Sequence, residues 1–278
     1  QSLDDGDQIE LQVSMQEGSA IFDFTGTAPA RDDNLNATEA IVHSAVCYCL
    51  RVLIGSNLPL NEGLLEPVSI VLPRGSLLNP AFSSDASQSP GVAGGNVEIS
   101  QRLVDIILSI VFQEVACSQG TMNNVIFGNN KFSHYETLGG GSGARVGQEG
   151  TSAVQVHMTN TAITDPEILE TRFPVRLLAF RQRMGSGGHG TWPGGDGIER
   201  DYLFEEETQL SLLTQSRVQA PHGIAGGESG KCGEQVLIRM DGTEEAMDSL
   251  RQANVYPGDR LVIRTPGGGG AGEAELLT

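Results

Sequence analysis

The chain has 278 residues, a formal net charge of −18 and 38% hydrophobic residues. Its 17 Lys and Arg against 35 Asp and Glu exclude a phosphate backbone or an anionic membrane surface as the main partner. The longest apolar run, Leu103 to Val111, is broken by Asp105 and Ser109, well short of the roughly 20 residues that span a bilayer.

Ile9 to Met15 alternates apolar and polar side chains, and Ala20 to Phe24 follows after Gln16–Ser19, which reads as a hairpin. Thr38 to Ile54 is an apolar helix with Thr38 as N-cap and Gly55 as its stop. Val68 to Leu72 is a short strand closed by Pro73. Asn79 to Gly95, rich in Ser, Pro, Gly and Ala, is a long ordered loop or lid. Val97 to Val115 is a second apolar helix, with Leu103, Ile106, Ile107, Ile110 and Val111 at helical spacing.

Beyond Gly120 the pattern turns to strands: 125–127, 133–138, 153–157, 202–204, 209–214, 236–239 and 261–264. A short helix, Asp165 to Thr171, carries Pro166 at its first position. The expected fold class is α+β, mixed and β-rich, with two long apolar helices in the N-terminal half and Gly-rich loops. Residues 1–278 read as one body, with Ser118–Thr121 as the only candidate sub-boundary. Cys47, Cys49, Cys117 and Cys232 form no CxxC pair, so buried thiols in a reducing, cytoplasmic setting are expected. The polar start QSLDDGDQIE is not a signal peptide, and without Met it reads as a cut end.

Four glycine clusters fall at 139–143, 185–190, 194–197 and 267–270. Each reads as a tight turn, or as a run of N–H groups offered to an anion; none matches a Walker motif. Their number suggests backbones crowding one another. Glu136 precedes the first cluster and is a candidate general base or a solvent-facing strand carboxylate. His157 and Asn160 end a strand and are candidates for acid–base work or binding, or for backbone hydrogen bonding alone. Arg172, Arg176, Arg181 and Arg183 form a basic patch best read as paired with internal carboxylates. If 133–138 and 153–157 pair as a hairpin, Glu136 faces Gln155 and lies about 7–8 Å diagonally from His157 on one face. Glu136, Gly139, Gly140, Gly141, His157 and Asn160 then share one cleft.

Several stretches, in order along the chain, resemble the hydantoinase B / 5-oxoprolinase family. They are DFTGTAPARDDNLNAT (23–38), AGGNVEISQRLVDIIL (93–108), GTMNNVIFGN (120–129), YETLGGGSGA (135–144), HMTNTAITDPEILETRFPV (157–175), MGSGGHGTWPGGDGIERD (184–201) and VYPGDRLVIRTPGGGG (255–270). The HMTNT and YET-GGG wording is similar to the 5-oxoprolinase branch. Ala162 stands where Arg is expected, Gln155 where His is common, and Ala271 where an aromatic is expected.

The resemblance implies the C-terminal half of the family's B component. It implies a parent enzyme of the glutathione cycle that opens cyclic amides such as 5-oxoproline with ATP and a divalent metal, neither bound by this segment alone. The implied partners are the N-terminal half of B, an ATP-binding A domain or subunit, a small-molecule substrate and other copies in an oligomer. Two alternatives stay open: the matching part of an ATP-dependent ketone carboxylase, or a non-catalytic scaffold within the enzyme.

Overall fold

The structure is a computed structural model and describes residues 1–56, 58–59 and 61–273. It divides into two units, Gln1–Gln113 and Glu114–Thr278, so the break lies just before the stretch the sequence singled out.

In the first unit, β1 (Gln12–Gln16) and β2 (Ser19–Asp23) pair antiparallel around a two-residue loop, with Gly18 in the left-handed region at φ 79°. β3 (Val68–Val71) joins β2 in parallel. α1 (Glu39–Ile54) buries Val42, Ala45, Val46 and Cys49, one stripe at helical spacing. It ends where Gly55 turns left-handed at φ 62° and donates its N–H to Arg51 O. α2 (Ser100–Val111) is entered through one π-helical turn over Gly95–Ile99.

The expectation of two long apolar helices is narrowed by these details. α1 is apolar over 16 residues but buries a single stripe and leaves Val52 and Ile54 exposed, and α2 is 12 residues long with Gln101, Arg102 and Asp105 buried among its aliphatic side chains. Residues 79–92 are irregular apart from one turn at Ala86–Gln88, which Asp85 caps by accepting from Ser87 N at 2.9 Å. Among the described residues no helix is long and apolar enough to cross a membrane.

The second unit is a two-sheet sandwich. Its four-stranded sheet runs β11-β8-β4-β5, from β4 (Asn124–Gly128), β5 (Ser133–Thr137), β8 (Thr208–Leu213) and β11 (Leu250–Val255). The five-stranded sheet runs β10-β9-β12-β7-β6, from β6 (Val175–Arg183), β7 (Gly197–Phe204), β9 (Glu234–Ile238), β10 (Glu244–Ala246) and β12 (Arg260–Arg264). Strand alternation builds the core between them: Val125 and Phe127 from one sheet meet Ile198, Tyr202, Phe204, Leu261 and Ile263 from the other.

α3 (Pro166–Arg172) contributes Leu169 to the same core, and Asp165 caps it from Glu167 N and Ile168 N. On the outer face of the five-stranded sheet, charges alternate across neighbouring strands. Arg181 and Arg264 both hold Glu199, while Arg183 and Arg264 hold Glu234. Those two arginines of the basic patch are therefore paired internally, as is Arg176 with Glu205.

Apart from Gly185, an exposed turn residue at φ 71°, the glycine clusters are packed against other main chain. Segment 266–271 runs extended through a bundle of other extended segments, and its N–H groups leave in three directions. Gly267 and Gly270 donate to Lys231 O and Glu228 O, Gly268 and Ala271 to Gly195 O and Trp192 O, and Gly269 to Cys117 O. Its carbonyls at 266 and 269 accept from Gly141 N and Ala144 N, again three residues apart. A repeat of three is that of a polyproline-II helix, which has no internal hydrogen bonds and must find its partners in neighbours. The neighbours come so close that a Cβ on Gly268 would lie 2.0 Å from Ser142 O, and one on Gly141 1.9 Å from Gly195 O. Both obstacles are main-chain atoms that cannot swing aside.

Gly268→Ala and Gly141→Ala are therefore expected to cost more than about 4 kcal/mol each, at the severe end for point substitutions. Gly18→Ala has open space and pays only for its left-handed φ, about 1–2 kcal/mol. Urea denaturation of the three variants checks this; a Gly268→Ala midpoint level with that of Gly18→Ala contradicts the packing.

Candidate functional site

β5 reads Ser-His-Tyr-Glu-Thr, and alternation sends His134 and Glu136 to the inner face while Tyr135 faces out, 52% exposed. β7 reads Gly-Ile-Glu-Arg-Asp-Tyr-Leu-Phe and turns Ile198, Arg200, Tyr202 and Phe204 inward. Two polar rows thus meet inside an apolar core. Tyr202 OH donates to Glu136 Oε1 at 2.5 Å, Arg200 Nε lies 3.4 Å from the same oxygen and His134 Nε2 3.6 Å from it. The Arg200 side chain is fully buried, and its guanidinium lies over the rings of Phe180 and Tyr202 at 4.9 and 5.4 Å. His134 sits between the rings of Phe127 and Phe173.

Burial raises the Glu136 pKa, but His134, Arg200 and Tyr202 together outweigh it and hold the carboxyl below the ordinary range. Burial and the neighbouring carboxylate push the Tyr202 phenol well up, so it stays a neutral donor. Glu136 is thus an ionised carboxylate with its lone pairs committed, rather than a base facing a cleft or a solvent-facing strand residue.

The hairpin expected between 133–138 and 153–157 does not form. β5 pairs with β4, and the only bridge from the later segment joins Gly140 to Val154. Gln155 reaches back by its side chain, donating to Thr137 O and Oγ1 at 3.1 Å each. Ala153 and His157 have φ of 55° and 51°, which strand geometry does not tolerate. The apolar–polar alternation of this stretch is genuine, and β5 ends its sheet with its other edge without a strand, but the positive φ at Ala153 and His157 limits the pairing to that single bridge.

His157 is half-buried and Asn160 exposed, at the start of an irregular segment that runs to Asp165. That segment is tied back at Thr161, whose Oγ1 lies 2.5 Å from Thr137 Oγ1, and at Thr164, whose N–H points to Glu136 Oε2 at 3.4 Å. Ile163 packs on the core between these ties. Gly139, Gly140 and Gly141 are buried in the bundle. The N–H of Gly140 goes to Val154 O and that of Gly141 to Pro266 O, so neither is open to an anion. Of the six residues singled out in the sequence, Asn160 is exposed and His157 half-buried, with its Nε2 shielded from solvent; the other four are buried.

The glycine segments are equally occupied as phosphate cradles, and among the described residues no group of three or more His, Cys, Asp or Glu is placed to hold a metal. The described residues do not fit ATP or a divalent ion. A hollow of about 1010 Å³ lies at the tip of the β4–β5 hairpin, lined by Asn129, Lys131, Glu206, Gln209, Gln252 and Asn254, and includes none of the candidate residues. No disulfide forms; Cys49 and Cys117 are buried, Cys47 and Cys232 half-buried.

Arg200 and His134 escaped sequence reasoning. The signal was there in Arg200, an arginine in the inward register of Ile198, Tyr202 and Phe204, but the strand was read only from Tyr202 on.

Removing the Glu136 carboxylate strands a buried guanidinium, so Glu136→Ala should cost about 3–5 kcal/mol. Because the folded-state pKa is depressed, the stabilisation is complete above the unfolded value, about 4.3, and is lost as pH falls through the folded one. Stability measured against pH should therefore fall less steeply below about pH 4.3 in Glu136→Gln than in the wild type; identical acid slopes contradict it.

Comparison with known proteins places this architecture. The hydantoinase B/oxoprolinase family model matches residues 1–274. The chain is 47% identical over 272 residues to 5-oxoprolinase 1 of Arabidopsis thaliana, covering 97% of the chain and 21% of that protein. It superposes on the ATP-dependent caprolactamase of Pseudomonas jessenii with TM-score 0.82 at 24% identity, over 96% of this chain and 49% of that one. With acetone carboxylase the TM-score is 0.76 at 17% identity, over 94% and 41% of the two chains. The chain thus spans about a fifth of the length of its 5-oxoprolinase relative and shares the fold of about half of a caprolactamase chain. It belongs to the hydantoinase B/oxoprolinase family.

Proposed function

We propose that the chain is one section of an ATP-dependent cyclic-amide hydrolase that opens 5-oxoproline, and that ATP and a divalent metal are handled elsewhere in the parent. The observation that carries this reading is the 47% identity to a 5-oxoprolinase across 97% of the chain. The two structural relatives, at 24% and 17% identity, support the fold alone and leave the substrate to the sequence likeness.

A five-membered lactam presents one N–H, one C=O and, in 5-oxoproline, a carboxylate. An exposed Asn side chain offers both a donor and an acceptor, and a histidine can exchange a proton near neutral pH. In this reading His157 and Asn160 are the groups of this chain that meet the ring. Glu136 serves them from beneath and does not touch the substrate. Gly139, Gly140 and Gly141 shape the floor of the same region through their packing. The fully bonded glycine bundle favours a scaffold role for that part of the chain, and this is compatible with a catalytic parent.

Two measurements test the proposal. The purified 278-residue chain, given 5-oxoproline and ATP, should release no glutamate above a mock preparation; release above that background overturns the division of labour. In the parent, His157→Ala should lower turnover at least about 100-fold, the lower end for a lost acid–base group. A near-normal rate makes His157 a structural residue.

A further inference from the structure

We infer that Glu136 and Arg200 form a buried positioning pair that fixes the segment carrying His157 and Asn160, by holding both main-chain polar groups of Thr164. The inference rests on the proposed function only in assigning His157 and Asn160 to the substrate; the mechanical part stands on geometry.

Thr164 N–H points to Glu136 Oε2 at 3.4 Å, and Arg200 Nη2 donates to Thr164 O at 2.9 Å. One peptide unit on each side of a loop residue is thus clamped by opposite charges, and those charges face each other at 3.4 Å. A bare loop could be tied by any surface hydroxyl. Here the clamp consists of a carboxylate and a guanidinium 2% and 0% exposed; Arg200 Nε and Nη1 make no hydrogen bond among the described residues, so the bond from Nη2 to the loop carries the polar contact of the guanidinium. Tyr202 takes one Glu136 oxygen, which leaves the other for the loop.

Arg200 cannot swing to a second position, because Phe180 and Tyr202 flank its guanidinium. His134 is the remaining titratable group against Glu136, and the rings of Phe127 and Phe173 hold it in turn. The clamp is therefore rigid on the sheet side and acts on one residue of an otherwise irregular run. Directly after Thr164, Asp165 caps α3, so the far end of the segment is fixed twice within two residues. Asn160, just before the Thr161 tie, and Ala162, between Thr161 and Thr164, stay exposed. This arrangement holds a loop's ends while leaving its polar side chains outward.

Hydrogen exchange on the isolated chain reads the clamp without reference to activity. In the wild type the Thr164 amide should exchange at least about 10-fold more slowly than the Ala162 amide after correction for intrinsic rates, the minimum expected for a bond to a charged acceptor. Exchange of Thr164 at the rate of Ala162 overturns the inference, whatever becomes of any variant. In Glu136→Gln, protection at Thr164 should drop about 10-fold or more while β12 amides keep theirs; unchanged protection at Thr164 also overturns it.

In the parent enzyme the same variant should lower kcat with the pH–rate profile unchanged in shape. Loss of one limb of that profile identifies Glu136 as the acid–base group itself and overturns the positioning role. If Glu136→Gln frees the loop while His157→Ala leaves turnover near normal, the clamp stands and the assignment of His157 to the substrate fails.

Discussion

Hydrogen bonding between main chains that lack Cβ atoms sets the geometry of the second unit. Segment 266–271 is the continuation of β12, segment 139–144 of β5 and segment 185–190 of β6, while 192–196 leads into β7. The strands that form the sandwich thus run on into a common bundle, where each residue of the central segment bonds to a different neighbour. Sheet register is set by side-chain alternation, and a slip by one residue would turn every inner side chain outward. In the bundle a slip would instead misplace donors that repeat every three residues. No shift shorter than six residues satisfies both a period of two and a period of three, so the two ladders lock each other against small slips. Glu136, three residues before Gly139, and Arg200, three residues after Gly197, are placed by that lock.

An ion pair inside a sandwich core is a weak source of stability, because desolvation offsets most of the attraction. Its use here is better sought in what it holds. Glu136 and Arg200 sit on opposite sheets, with Tyr202, His134 and two phenylalanine rings filling the space around them. An apolar pair of the same volume would pack as well and would leave the N–H and C=O of Thr164 without partners. Buried main-chain groups need partners, and only charged or polar side chains reaching up from the core supply them at an irregular loop.

Much of the scaffold was legible in the sequence. The hairpin at the start, the α1 end at Gly55 and the α3 start at Asp165–Pro166 follow from local rules about turns and caps, which act on neighbours in the chain; α1 does start after Thr38, but without a side-chain capping bond from it. β6 was not read as a strand: its run of arginines suggested a patch, and the irregularity between Leu177 and Ala179 breaks its alternation. The site was less legible, because its geometry is non-local. Glu136 looks the same in sequence whether it faces water or Arg200, which is 64 residues away. Ala153 to His157 alternates like a strand, yet left-handed φ values at both of its ends keep it from pairing along the edge that β5 leaves without a strand. The crowding suggested by four glycine clusters was sound; that the crowding is of the chain against itself follows only from seeing the segments side by side. The family likeness supplied what periodicity could not, by joining the motifs into one pattern.

The glycine bundle also bears on how the protein responds to temperature. Unfolding a normal core exposes apolar surface, which raises the heat capacity, while exposing peptide groups lowers it. The central run Gly267–Gly270 carries no side chains, so its melting uncovers main-chain amides and little hydrocarbon of its own. It contributes hydrogen-bond enthalpy without the matching heat-capacity increment. Glycine also surrenders more backbone freedom on ordering than any other residue, so the same segments carry an unusually large entropic opposition. A domain built this way has a shallower curvature of stability with temperature than a sandwich of equal length closed by aliphatic loops. Its tolerance to cooling is set more by the sandwich than by the bundle that aligns it.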